Sequence, residues 1–220
     1  MRRDIVTAAI SILVLTLLFG VAYPLLITGV GQVAFPGDAN GQKVYVNGKL
    51  VGSKIIGQSF ERPVLAANGK PKEEEGEVVT AADPRYFQSR PSATEGGPYN
   101  ASASAFSNRG PNSKLTEEAD AENVKSYLAL NKPYDPSLTV ARVPVDAVNT
   151  SASDLDPEIS PANARIQAHR IAALRHLSLS AVDGLISDHT SGRGLGFSGE
   201  PGVNVLELNL ALDRTAGGEA

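Results

Sequence analysis

Three carboxylates, Asp154, Asp156 and Glu158, fall within five residues. Alternating acids can ligate Ca2+ or Mg2+, but the glycine and further oxygen ligands of a calcium loop are missing here. Asp156-Pro157 is turn chemistry. The segment therefore reads as an acidic turn with a general attraction for cations, and no metal ligand is assigned. His169, His176 and His189 are the only histidines. The first two stand seven apart on one predicted helix, too far for a single metal, and all three read as structural. Gly196-Phe197-Ser198-Gly199 is one residue short of a nucleophile elbow. No G-x-x-x-x-G-K-[ST] loop is present to cradle phosphates. The chain has no cysteine, which excludes disulfides, thiol nucleophiles and thiolate metal sites. No catalytic residue follows from these motifs, and the chain reads as a protein without an active site of its own.

The elements that would carry such residues are mixed. Val44–Val51 reads as a β-hairpin about Asn47-Gly48, the favoured pair for a type I′ turn. The run 66–81 is polar and reads as an exposed loop. Ser89–Ser113 is rich in Ser, Ala, Asn, Gly and Pro without apolar periodicity; a long irregular segment of this kind is a candidate contact surface. Thr116 is placed to cap a helix that runs to about Asn131, before Pro133. Val140–Val145 resembles a strand. Ser160-Pro161 opens a helix with Ala164, Ala168, Ile171 and Leu174 on its apolar face. Ser180–Asp183 has capping-box spacing, followed by Val182, Leu185, Ile186 and His189 at helical intervals. Leu206, Leu208, Leu210 and Leu212 alternate with other residues, a period of two that predicts a half-buried strand. The fold class expected is α+β, in one domain. Asn100 and Asn149 open glycosylation tripeptides that are short enough to be chance matches.

At the other end, Ile5–Gly37 contains no charged residue and follows Arg2, Arg3 and Asp4. About 20 apolar helical residues cross a ~30 Å hydrocarbon core. The expected organisation is a membrane anchor over 1–34, with its spanning helix at about 5–27, and a domain over 35–220. The arginines favour a cytoplasmic amino terminus and place the rest outside the cytoplasm. A cleaved signal ending at Gly20-Val21-Ala22 is the competing reading. The apolar character that continues to Phe35 argues against it. Gly20, Gly29 and Gly31 could admit a neighbouring helix, although Thr28–Gly31 also reads as the end of the helix; Pro24 is tolerated in a membrane helix. The net charge is −4, and removing residues 1–37 leaves −5, which does not suit a nucleic-acid binder.

Seven ordered segments resemble the C subunit of the prokaryotic Kdp potassium-transporting P-type ATPase. They are Tyr23-Pro24-Leu25 with Thr28-Gly29-Val30-Gly31-Gln32; Gly52–Gln58; Tyr86–Ala93; Ser107–Asn112; Val143–Asp146; Leu155–Pro161; and Gly199–Asn209. In three places the chain departs from that pattern: 63–82 reads as an insertion, Glu158 stands where the family has His, and Asp154 stands where small residues are usual. The resemblance implies a single-span accessory subunit in the cell membrane. Its implied partners are a channel-like potassium-translocating subunit, a P-type ATPase catalytic subunit and a small membrane peptide. The Asp-Lys-Thr-Gly phosphorylation motif is absent here, so ATP chemistry falls to the partner. The resemblance also implies a role in raising ATP affinity, with Gln58 taking part, whereas the charge bias puts Gln58 on the side without ATP. The contact residues expected are Gly20, Pro24, Gly29 and Gly31 in the membrane and Ser107, Asn108 and Asp156 outside it. A membrane-anchored or secreted enzyme or binding protein is the alternative function.

Overall fold

The structure is a computed structural model that describes residues 2–74, 76–104, 109–110 and 112–215. The chain divides into two compact units, Met1–Ser53 and Lys54–Ala220.

The first unit opens with helix α1 (Arg2–Leu17), a wide turn at Leu18–Ala22 and helix α2 (Tyr23–Ala34). Together they form one helix of 33 residues, long and apolar enough to cross a membrane, and none of its side chains is buried within the protein. The wide turn has a local cause. Pro24 has no N–H, and its ring would crowd the carbonyl four residues back. The backbone responds with one π turn, in which the Tyr23 N–H reaches the Leu18 carbonyl. The helix continues through Gly29 and Gly31 to Ala34, so Thr28–Gly31 is not its end; the Phe35 N–H closes on the Gly31 carbonyl at 2.9 Å. A single turn, α3 (Pro36–Ala39), follows. Strands β1 (Lys43–Val46) and β2 (Lys49–Ser53) then pair antiparallel. Asn47 (φ 50°) and Gly48 (φ 77°) make the expected turn between them.

The second unit begins with β3 (Glu61–Pro63). The run read as a loop is a small arm carrying β4 (Glu73–Glu74) and β5 (Glu77–Val78) before β6 (Thr80–Ala82) returns to pair with β3. The described residues between 83 and 113 are irregular apart from one turn at Ala101–Ala103. Helix α4 (Lys114–Asn131) starts after Ser113 rather than at Thr116, which lies inside it. Val140–Val145 is not a strand. It contains a helical turn at Val140–Arg142, followed by another at Val145–Ala147, because Pro144 cannot donate to a ladder.

The main core is built from β7 (Glu158–Ile159), α5 (Pro161–Arg175), α6 (Leu179–Asp188), β8 (Thr190–Ser191), β9 (Gly202–Asn204) and α7 (Val205–Thr215). The strands form an antiparallel sheet of order β7-β9-β8. Ser160 caps α5, its hydroxyl accepting from the Asn163 N–H at 3.1 Å, with Pro161 in the first turn. Ser178, two residues before the expected Ser180, caps α6 through the Ala181 N–H. His189 ends that helix instead of lying on its face.

Leu206–Leu212 forms a helix, not a strand. The buried positions are 205, 206, 208, 209, 211 and 212, a helical spacing that the alternate leucines mask. Asn204 caps α7 through the Glu207 N–H at 3.1 Å. Phe87, Ile159, Ala168, Ile171, Val182, Ile186, Val203, Leu208 and Leu212 pack into one apolar cluster. Tyr127, Leu138, Ala147 and Ile166 form a second cluster beneath α4.

Candidate functional site

A cleft of about 870 Å³ lies in the second unit between the β3–β6 ribbon, the stretch from Gln88 to Tyr99, and the face of α4 that carries Asn123, Ser126 and Leu130. Gln58 lines it. The Gln58 backbone is fixed, because its carbonyl accepts from the Ser89 hydroxyl at 3.0 Å and the preceding Gly57 N–H donates to Leu155 O at 2.7 Å. Its side-chain amide has no hydrogen-bond partner among the described residues. Gly57 is required at its position: an added Cβ would stand 2.6 Å from Asp156 O and equally close to the Tyr99 ring.

The acidic turn forms part of the same neighbourhood, but its carboxylates do not converge on a common point. Asp156 accepts from Arg90 Nη1 at 3.2 Å. Arg90 Nη2 donates to Asn149 Oδ1 and Thr150 O at 3.0 and 3.1 Å, while Nε is buried without a partner. Asp154 is buried at φ 58°, with Oδ1 unpartnered; Ser151 Oγ is likewise buried and unpartnered. Glu158 is exposed at the sheet edge, where the Ser191 hydroxyl lies 3.4 Å from Oε1. No group of three or more His, Cys, Asp or Glu able to hold a metal occurs among the described residues. Tyr99 closes the neighbourhood. Its hydroxyl donates to Arg90 O, its N–H donates to Ser92 Oγ at 2.9 Å, and burial pushes its phenol up to about 12.

A buried polar spine holds the cleft walls. Arg170 is fully buried. It donates to Asn131 Oδ1, Pro84 O, Tyr86 O and Gln167 Oε1. Burial among neutral acceptors pulls its guanidinium below the ordinary arginine value. Gln167 grips both the N–H and the C=O of Gln88, at 2.7 and 3.0 Å. It also donates to Asn163 Oδ1, which accepts from the Tyr127 hydroxyl at 2.9 Å. Burial pushes the Tyr127 phenol up as well. Asn209 holds Phe87 in the same two-point manner, at 2.9 Å each. The irregular stretch after Asp83 thus takes its shape from amide side chains on α5 and α7. Such pairing is what makes buried polar groups affordable.

Reading the sequence for motifs did not single out Arg170, Gln167 or Asn163. Their signal was a polar row at 163, 167 and 170, beside the apolar row of the same helix. Of the expected contact residues, Gly20, Pro24, Gly29 and Gly31 lie in the apolar helix and Asp156 in the Arg90 pair. Ser107 and Asn108 lie outside the described residues. His169 is half-buried on α5, and His176 ends that helix in the left-handed conformation.

The family model described as K+-transporting ATPase, c chain, matches residues 5–214. A potassium-transporting ATPase KdpC subunit of Methylococcus capsulatus is 47% identical over 206 residues, 94% of this chain and 95% of the relative. The protein of the same name from Mycobacterium tuberculosis is 45% identical over 214 residues, 97% of this chain and all of the relative. That of Dechloromonas aromatica is 43% identical over 96% of this chain and 97% of its own length. The chain belongs to the KdpC family, the c chains of K+-transporting ATPases.

Proposed function

We propose that this chain is a non-catalytic accessory subunit of an ATP-driven potassium-uptake complex, anchored by one apolar helix with its Lys54–Ala220 unit outside the cytoplasm. The observation that carries the reading is the family match over residues 5–214, which takes in the apolar helix as well as the second unit. The side chains support it. Arg90, Asp156, Ser92 and Tyr99, the reactive-looking groups around the cleft, are engaged with one another or with backbone. Groups committed in this way fix a shape; they are not poised as a nucleophile beside a base. The partners proposed are a potassium-translocating channel-like subunit, a P-type ATPase catalytic subunit and a small membrane peptide.

On this reading the apolar helix packs against partner helices, and the outer unit stabilises the assembly and modulates ion access. Deletion of residues 2–34 tests the reading. Co-purification with the channel-like and ATPase subunits should be lost, together with potassium-stimulated ATP hydrolysis by the purified material. Co-purification that survives the deletion would remove the anchor from the account.

A further inference from the structure

The cleft beside Gln58 has a chemistry of its own, and it does not fit a nucleotide. A triphosphate needs cations or a fan of backbone N–H groups at a helix start. Among the described residues, the only basic one on the walls is Arg90. Its two terminal nitrogens are bound to Asp156, Asn149 and Thr150, and its Nε is buried out of reach. Helix α4 presents residues 123–130 to the cleft, well past its start at Lys114. The one carboxylate on the walls among the described residues, Glu61, is held by the Ser59 and Thr80 hydroxyls and would repel phosphate.

What the walls do offer is neutral. Gln58 and Ser126, both on the cleft, have side chains without hydrogen-bond partners among the described residues. Pro91, Pro98, Tyr99 and Leu130 supply apolar surface. The β3–β6 ribbon has only two strands, so each strand keeps one edge of backbone N–H and C=O groups without a strand partner, and Glu61, Ala81 and Ala82 bring that ribbon to the cleft. A volume of about 870 Å³ lies within the ~300–1,000 Å³ of sites that enclose a small ligand. That is room for a short length of chain and not for a folded domain.

We infer that this cleft receives an extended, uncharged peptide segment of a partner subunit, paired through its backbone with the β3–β6 ribbon and hydrogen-bonded by Gln58 and Ser126. The inference rests on the accessory-subunit reading, since it is the assembly that supplies the segment. Backbone pairing to a free strand edge gives affinity without charge, which matches walls whose described residues include no free cation and one satisfied carboxylate.

The test uses the assembled complex in detergent. One chain carries the photo-reactive residue benzoylphenylalanine at Ser126, and a control carries it at Lys125, the next residue on α4, which does not line the cleft. After irradiation and peptide mapping, the Ser126 chain should be joined to a segment of another subunit, and the Lys125 chain should not. In a parallel sample, azido-ATP should leave peptides containing Gln58 and Ser126 unlabelled. Intact co-purification with no adduct at Ser126, an adduct only to lipid or to a second copy of this chain, or azido-ATP labelling of the cleft would each overturn the docking inference while leaving the accessory role standing. Failure of the unmodified chain to co-purify would overturn both.

Discussion

Gly57 packs against the ring of Tyr99, a residue of the cleft wall, and each makes a prediction. At Gly57 there is no room for one more carbon, because the Asp156 carbonyl and the Tyr99 ring already occupy the space. The carbonyl belongs to backbone and cannot swing away. Gly57→Ala therefore forces the turn at Leu155–Asp156 apart, an overpacking cost of about 1–3 kcal/mol. For a chain of this size that is a fall of roughly 2–12 °C in Tm by thermal unfolding. An unchanged Tm would mean that Gly57 is not clamped.

Tyr99 makes a pH prediction. Its phenol is held by burial at about 12, against ~10 in an unfolded chain. The neutral form thus contributes stability that is complete below pH 10 and is lost as the pH rises towards 12, at about 1.4 kcal/mol per pH unit. Tyr127 acts in the same direction and Arg170 in the opposite one, so the clean measurement is the difference between the native chain and Tyr99→Phe. Denaturant unfolding at several pH values should show the native chain losing ground to the variant between pH 10 and 12. Parallel curves would show that the phenol is not buried in solution.

At the scale of elements, the arm between β3 and β6 is separable from the rest. Its backbone hydrogen bonds, among them Val64 to Val79, Lys72 to Val64 and Ala66 to Lys70, stay within the arm, and nearly all of its described side chains are exposed. Replacing residues 66–77 with a short Gly-containing turn should keep the pairing of Glu61 with Ala82 and of Pro63 with Thr80. It should change stability by less than about 1 kcal/mol, since shortening a surface loop carries only a small entropic term. A loss of cooperative unfolding would show instead that the arm is part of the core.

The same arm shows what could be read from sequence. Composition gave its exposure but not its short strands, because charged residues on a two-stranded ribbon leave no apolar alternation to detect. Asn47-Gly48 and Ser160-Pro161 were legible because their chemistry is local. Helix α7 was misread because four leucines at even positions imitate a strand, while the burial that decides the matter comes from α6 and β9. The cleft was legible only as Gln58, by resemblance. Its walls depend on Arg170, Gln167 and Asn209 gripping a distant stretch of backbone, and no spacing rule on either segment announces a contact 79 or more residues away.

At the scale of the whole molecule, sidedness decides which chemistry is open to the second unit. Arg2 and Arg3 lie in the first turn of the apolar helix, and the next positive charge is Lys43. The helix spans 33 residues, roughly 50 Å at 1.5 Å per residue, and so exceeds a ~30 Å hydrocarbon core. Placed across a bilayer, its ends would reach both headgroup layers. Among the described residues no second helix meets the length and apolarity of a span, and a label at one site on Lys54–Ala220 reports the side on which that site lies. The absence of cysteine makes that measurement clean. Lys70→Cys, on the exposed arm, is the only thiol the variant chain would contain. In intact spheroplasts a membrane-impermeant maleimide should label it fully, and lysis should add nothing. Labelling that appears only after lysis would put the acidic unit in the cytoplasm. The arginines would then lie on the outer face against the usual bias, Gln58 would stand where ATP is abundant, and the proposed outward modulation of ion access would lose its location.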